Sequence, residues 1–316
     1  MGRIRFLSPF VKTLISGGIK VTYLHAELLR ELGFDAAVYQ PEGAPVWLSP
    51  RLQALACDRL SVTADDILVF PEILSGSIAK FARVPAWKVV FCQNHFYLFS
   101  FGLTAEAYAR SGFHDFIVPG DLAKRALNTV LGLSDVAVVP HYIDPALFFP
   151  RDKQVRIATA PRKFPAHDGI PAQAALIRSM LSLKYPHLDA VPWDLLESKS
   201  ENEVADSMGH AAVFLSLSRM ETLPLTPLEA MASGCVVVGH HGSGGLEYAT
   251  PENGFWFSPE QIEETVDALA AALDGVGRSD PNILAVRDAG IATAARFNRE
   301  QAKSALRQVY GELLRA

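Results

Sequence analysis

Cysteine is scarce in this chain: Cys57, Cys92 and Cys235 stand alone and at no metal-ligand spacing. That pattern excludes a disulfide framework and a cysteine-built zinc cage, and it fits a reducing compartment. Cys92 and Cys235 lie in apolar runs, where a small buried thiol is expected. No stretch reaches the roughly 18 to 20 apolar residues that span a bilayer. The start, Met1-Gly-Arg-Ile-Arg-Phe-Leu7, is too short and too charged for a signal peptide, and it lacks the hydroxyl residue a myristoylation signal wants. A net charge of -5 supplies no basic field, so nucleic acid is not an expected partner. No Asp-x-Asp pair occurs, which removes the simplest carboxylate clamp for a metal-bound diphosphate. No G-x-G-x-x-G occurs at its glycine loops, and no internal repeat or low-complexity tract is present. The expectation is a soluble, cytoplasmic protein without a bound metal. Peripheral contact with the inner face of a membrane, and the oligomeric state, stay open.

What is present is alternation. At 316 residues and 49% hydrophobic content, about two domains with sizeable cores are expected. Ile4-Arg-Phe-Leu7 reads as a strand, and a loop with Gly17-Gly18 opens a helix with apolar positions Val21, Leu24, Leu28 and Leu32. Gly33 is its expected C-terminal cap. Further strands are expected at 36–39, 67–70, 89–91, 116–118 and 136–139, with a helix over 121–131. The rhythm breaks at Pro140-His-Tyr-Ile-Asp-Pro145, the best linker candidate. A second set follows, with strands at 156–158, near 190–191, at 212–217 and 235–238, and helices over 171–185, 203–208, 261–273, 283–297 and 300–314. Alternation of this kind predicts doubly wound parallel sheets.

The run Glu221-Thr-Leu-Pro-Leu-Thr-Pro-Leu-Glu229-Ala-Met-Ala-Ser-Gly234 is the most informative in the chain. It sits between two apolar strands, so it occupies a loop and helix start at the rim where open α/β sheets bind ligands. Two carboxylates there suit hydroxyl-rich ligands, a sugar or a ribose. Thr226 can be the N-cap, Pro227 the first helical residue and Glu229 the third, so Glu229 reads equally as half of a capping box. In either case the helix start, Leu225 and Thr226 included, offers amides to a phosphate. Gly242-Ser-Gly-Gly245, with Gly244, could cradle a second anion, or could be a plain turn, and Gly17-Gly18 carries the same ambiguity. Arg162 and Lys163 follow the first strand of the second half and could neutralise a diphosphate; a solvated basic turn is the bland reading. His95 ends the 89–91 strand and could hydrogen-bond a substrate hydroxyl, although a lone histidine is more often structural.

Together these residues resemble the group 1 (family 4) retaining glycosyltransferases of the GT-B fold. The spacing of Glu221 and Glu229, with Glu229-Ala-Met-Ala-Ser-Gly234 and a valine strand after it, carries the resemblance. Val138-Val-Pro-His-Tyr-Ile-Asp144, Gly244-Gly-Leu-Glu247 and Arg296-Phe-Asn298 extend it over nearly the whole chain. The chain departs from the family at Pro224, where a glycine is usual, and in the adjacency of Arg162 and Lys163. The resemblance implies two Rossmann-like, doubly wound parallel-sheet domains facing across a cleft. The first, 1–145, lies on the acceptor side; the second, 146–316, binds the nucleotide sugar, with a last helix, about 300–316, that packs back on the first. It implies transfer of a hexose from a nucleoside diphosphate sugar to a glycan or lipid-linked acceptor hydroxyl, in glycan or cell-envelope polysaccharide synthesis, with no cofactor beyond that co-substrate. Glu221 would face the donor sugar and Glu229 the ribose. Arg162, Lys163 and the amides of Gly17, Gly18, Leu225, Thr226 and Gly244 would hold the diphosphate, and His95 would contact the sugar. A nucleotide-sugar epimerase on the same frame, and a non-catalytic nucleotide-sugar-binding protein, are the alternatives.

Overall fold

The computed structural model describes residues 2–161 and 172–315. The chain forms two compact units, Met1–Tyr142 with Arg299–Ala316, and Ile143–Asn298. Arg162 and Lys163 lie outside the described residues.

In unit 1 the elements are β1 (Ile4–Leu7), α1 (Gly17–Glu31), β2 (Ala36–Tyr39), α2 (Pro50–Gln53), β3 (Ala56–Cys57), β4 (Ile67–Pro71), β5 (Trp87–Phe91), α3 (His95–Ser100), α4 (Ala105–Arg110), β6 (Phe113–Val118), α5 (Asp121–Leu131) and β7 (Val136–Val138). They build a seven-stranded sheet in the order β3-β2-β1-β4-β5-β6-β7, parallel throughout. Helices on both faces bury central strands completely, which is why Ile67-Leu-Val-Phe-Pro71 is apolar without alternation. Phe70 packs edge-on against Phe81 and Phe113, with ring centroids 4.9 and 4.8 Å away. Helix α1 ends where Gly33, at φ 88°, turns left-handed. The Gly33 and Phe34 amides then donate to the Arg30 and Leu29 carbonyls, a Schellman ending.

In unit 2 the elements are β8 (Gln154–Thr159), α6 (Gln173–Lys184), β9 (Trp193–Leu195), α7 (Glu201–His210), β10 (Ala211–Ser218), α8 (Leu225–Ala232), β11 (Val236–His241), β12 (Phe255–Phe257), α9 (Ile262–Gly277) and α10 (Pro281–Ala295). The five strands run parallel in the order β12-β11-β10-β8-β9. Along β10, Val213, Leu215 and Leu217 face one apolar layer, with Leu269 and Leu273 of α9. Phe214 faces the other, with Leu228 and Met231 of α8. The period of two sends alternate residues to opposite faces. The second strand of this unit starts at Trp193, not near 190–191 as the apolar residues there suggest. Pro192 has no N–H to give the ladder; its carbonyl accepts from the Ile157 amide at 3.0 Å, and pairing starts one residue later.

The last helix, α11 (Arg299–Leu313), belongs to unit 1 and packs on α1. Leu306 and Tyr310 are fully buried. At its start Arg299 donates to Glu31 at 2.6 Å, and Lys303 lies 2.9 Å from the same carboxylate. The Arg299 hydrogen bond, with help from Lys303, holds Glu31 down to about 2. A depressed carboxyl stabilises the fold above its unfolded value, about 4.5, and that contribution disappears as pH falls toward 2. The group is well solvated, so screening limits the effect to about 1 kcal/mol. Arg299→Ala is therefore expected to lower stability by about that much at pH 7 and by much less at pH 3. Urea denaturation at the two pH values checks this; an equal loss at both contradicts it.

Candidate active site

In unit 2 the chain reverses winding direction between β8 and β10, and open parallel sheets place ligands outside the carboxyl ends of strands at such a point. After β10 come Arg219 and Met220, the latter at φ 47°, then Glu221. After β11 comes Gly242, at φ 61°, then Gly244 and Gly245. These two loops lock together through their backbones. The Gly244 amide donates to the Glu221 carbonyl at 2.7 Å. A Cβ on Gly244 would sit 1.6 Å from the Thr222 oxygen, so this approach admits only glycine. The buried Tyr248 hydroxyl donates to the Pro224 carbonyl at 2.9 Å. Burial first, then the Glu221 charge, pushes that phenol well above its ordinary range and keeps it a neutral donor. Glu221 itself is half-buried over the fully buried Thr222 and Leu223.

Helix α8 corrects the capping expectation. Pro224, in extended geometry at ψ 116°, is the N-cap; Leu225 and Thr226 are the first helical residues, Pro227 the third and Glu229 the fifth. Thr226 therefore caps nothing, and Glu229 lies too far along to complete a capping box. The shift is tolerated because amides of the first turn have no helical acceptor, so proline fits at the third position as well as at the first. Pro224 and Pro227 supply no N–H, which leaves the half-exposed Leu225 and Thr226 as amide donors at the positive end of α8. Glu229 is only 7% exposed. Its carboxyl stands one turn behind the Leu225 and Thr226 amides.

In unit 1 the reversal falls between β1 and β4. Gly17 and Gly18 open α1, with Gly17 exposed and no atom near where its Cβ would stand. Gly18 instead packs against the side chain of Gln93, whose amide donates to the Gly18 carbonyl at 3.0 Å and to Thr22 Oγ1 at 3.3 Å. His95 is the first residue of α3, after Asn94, whose side chain accepts from the Phe96 amide at 3.0 Å. His95 is buried between Phe96 and Phe99, and burial lowers its imidazole below the ordinary value, so it is neutral at pH 7. Glu72 escaped the sequence reading. It follows β4 directly, is buried, and accepts from the Gln93 and Asn94 amides at 3.2 and 3.0 Å. Burial raises its carboxyl to about 7. Its one sequence signal is an acid set immediately after an apolar strand, at the ligand-bearing edge. Cys92 and Cys235 are both buried, as small core thiols should be.

Among the described residues, then, the structure joins Glu221, Gly244, Pro224, Leu225, Thr226 and Glu229 at one rim of unit 2, and Gly18, His95 and Glu72 at one rim of unit 1. Two parallel sheets with acidic and glycine loops at their carboxyl edges make this an α/β protein of two wound units. Residues 193–280 match the family described as glycosyl transferases group 1. An alpha-1,6-glucosyltransferase of Actinobacillus pleuropneumoniae serotype 7 (strain AP76) is 27% identical over 323 residues, 96% of this chain and 93% of the relative. The lipopolysaccharide core biosynthesis mannosyltransferase LpsB of Rhizobium meliloti (strain 1021) is 35% identical over 107 residues, 33% of this chain and 29% of its own. Among solved structures, Anabaena HepE in complex with UDP-glucose superposes with a TM-score of 0.68 at 13% identity, covering 98% of this chain and 99% of that one. The chain has the GT-B fold and is similar to the group 1 glycosyltransferases.

The loop junction yields a direct contrast. Gly244→Ala is expected to destabilise the protein by about 3 kcal/mol or more, because backbone must move to admit the methyl. Gly17→Ala should stay within about 0.5 kcal/mol of the parent, since nothing meets its Cβ and fewer unfolded conformers are available. Chemical denaturation of both variants checks this; equal effects would contradict the role given to Gly244.

Proposed function

We propose that the protein moves a hexosyl group from a nucleoside diphosphate sugar, UDP- or GDP-linked, to an acceptor hydroxyl with retention of anomeric configuration and without a metal ion. The observation that carries this reading is the backbone junction of Glu221 with Gly244 beside the amides of Leu225 and Thr226. Departure of the diphosphate concentrates negative charge on its phosphate oxygens. Preorganised amides at the positive end of α8 stabilise that charge without reorganising. Arg162 and Lys163 add cationic neutralisation in this reading, Arg162 in a bidentate manner. Glu221 orients the sugar through its hydroxyls, and Glu229 accepts from the ribose hydroxyls. The acceptor oxygen attacks the anomeric carbon as the bond to the phosphate oxygen breaks, and that phosphate oxygen takes the acceptor proton. In unit 1, neutral His95 hydrogen-bonds a substrate hydroxyl, and the Gly17 and Gly18 amides form a second anion cradle.

The names of the relatives support a hexose donor: one is a glucosyltransferase, and the other a mannosyltransferase of lipopolysaccharide core biosynthesis. The UDP-glucose bound to HepE supports a nucleotide sugar as co-substrate. The lipopolysaccharide core role in the name of the second relative supports a glycan or lipid-linked acceptor in cell-envelope polysaccharide synthesis. No helix among the described residues is long and apolar enough to cross a membrane.

Thermal-shift measurements with UDP-, GDP- and ADP-sugars select the donor, because a ligand that binds only the folded state raises the melting temperature. With that donor, Glu221→Ala is expected to lower kcat by about 100-fold. Glu229→Ala should raise donor KM by about 10-fold with a smaller effect on kcat, as loss of uniform binding does. EDTA should leave turnover unchanged. Wild-type rates in both Glu221→Ala and Arg162→Ala would sink the assignment, as would an inverted anomeric centre in the product by NMR.

A further inference from the structure

The unit 1 rim holds its candidate groups through an acid that the transfer reaction, as read above, does not use. Strands β4 and β5 are adjacent, with Pro71 paired to Phe91, so the residues that follow them meet at the carboxyl edge. Glu72 is the first residue after β4, and each of its carboxylate oxygens accepts one backbone amide, Oε2 from Gln93 and Oε1 from Asn94. From those two residues the connections diverge. The Gln93 side chain reaches the Gly18 carbonyl and the Thr22 hydroxyl, tying the segment to the start of α1. Thr22 Oγ1 in turn donates to the same Gly18 carbonyl at 2.9 Å. The Asn94 side chain caps α3, and His95 is the first residue of that helix. We infer that Glu72 is a positioning residue for glycosyl transfer: its carboxylate fixes the Gln93–Asn94 backbone, and through it the Gly17–Gly18 helix start and His95.

Burying a carboxyl is expensive, and two backbone amides can be satisfied more cheaply by water or a carbonyl. What a carboxylate adds is acceptors on both oxygens and no donor, so two adjacent amides can converge on one rigid group. A glutamine of the same shape turns its NH2 toward one of those amides and can accept only one. The titratable groups that face Glu72 are Cys92, directly after β5, and Tyr108 from α4; His95 lies beyond the Gln93–Asn94 segment on α3. Burial keeps the thiol and the phenol protonated and the imidazole neutral at pH 7. Burial moves the thiol and the phenol up and the imidazole down, away from the range of about 7 where Glu72 ionises, and a pH profile of Glu72→Gln beside the wild type reads the difference.

This role rests on the reading of His95 and Gly17–Gly18 as parts of the site, and the test separates the two. Wild type, Glu72→Gln, His95→Ala and the double variant are compared as full-length protein. The readouts are amide hydrogen exchange over residues 92–96 and steady-state turnover of UDP-glucose or GDP-mannose, whichever gives the larger thermal shift. Glu72→Gln is expected to raise exchange at Gln93 and Asn94 by about 10-fold and lower kcat by about 10-fold. It should also abolish a rise of kcat with pH through about 7 that the wild type shows. The double variant should lose less than the product of the two single losses, because part of the Glu72 effect runs through His95; a full product overturns the inference. Unchanged exchange overturns the inference, and so do wild-type kinetics in Glu72→Gln while His95→Ala is impaired. Wild-type kinetics in both, with exchange raised, removes the reading of the rim instead. Should Glu72→Gln fail to fold, Gln93→Ala cuts the link to α1 alone: a several-fold rise in donor KM supports the inference, and parental kinetics overturns it.

Discussion

One backbone hydrogen bond organises the proposed chemistry: the Gly244 amide on the Glu221 carbonyl, at 2.7 Å. It joins the loop after β10 to the loop after β11, and it forms only because residue 244 has no Cβ to strike Thr222. Once the loops are joined, Pro224 lies where the buried Tyr248 hydroxyl holds its carbonyl. That fixes where α8 begins and therefore where its amide donors point. Glu221 lies in the loop and Glu229 in the second turn of the helix. The positions from which the two side chains start are thus set by backbone contacts, as the proposed recognition of a sugar and a ribose needs.

The same logic operates in both units because both are wound from parallel strands. A parallel sheet buries its strands and leaves chemistry to the loops at the carboxyl edge, where chain reversal opens a gap between neighbouring connections. In unit 2 that edge is held by backbone against backbone. In unit 1 it is held by a buried side chain, Glu72, under the Gln93–Asn94 amides. The difference has a chemical consequence. A glycine contact is indifferent to pH, whereas a carboxyl near its titration point makes the rim it supports responsive to pH around neutrality.

Much of this was legible in the sequence, and the misses have physical causes. The strands and long helices follow from apolar periodicity, and the paired carboxylates and glycine loop follow from their spacing between two apolar strands. Thr226-Pro227 satisfies the rules for a helix start, yet α8 begins after Pro224, because the loop is pinned by Tyr248, a contact 24 residues away in sequence. The strand at Trp193 was displaced for a similar reason: pairing with β8, not local hydrophobicity, decides its register. The short helices α3 and α4 span six residues each, too few for periodicity to register. Glu72 is a single acid with no motif around it, and only the neighbouring strand shows what it holds.

The central claim is that the rim of unit 2 receives a nucleoside diphosphate sugar. A crystal structure with UDP-glucose or GDP-mannose bound tests it most directly. The account predicts the diphosphate on the Leu225, Thr226 and Gly244 amides, the ribose on Glu229 and the hexose toward Glu221. A nucleotide bound with its ribose away from Glu229, or with its phosphates away from the start of α8, would contradict it.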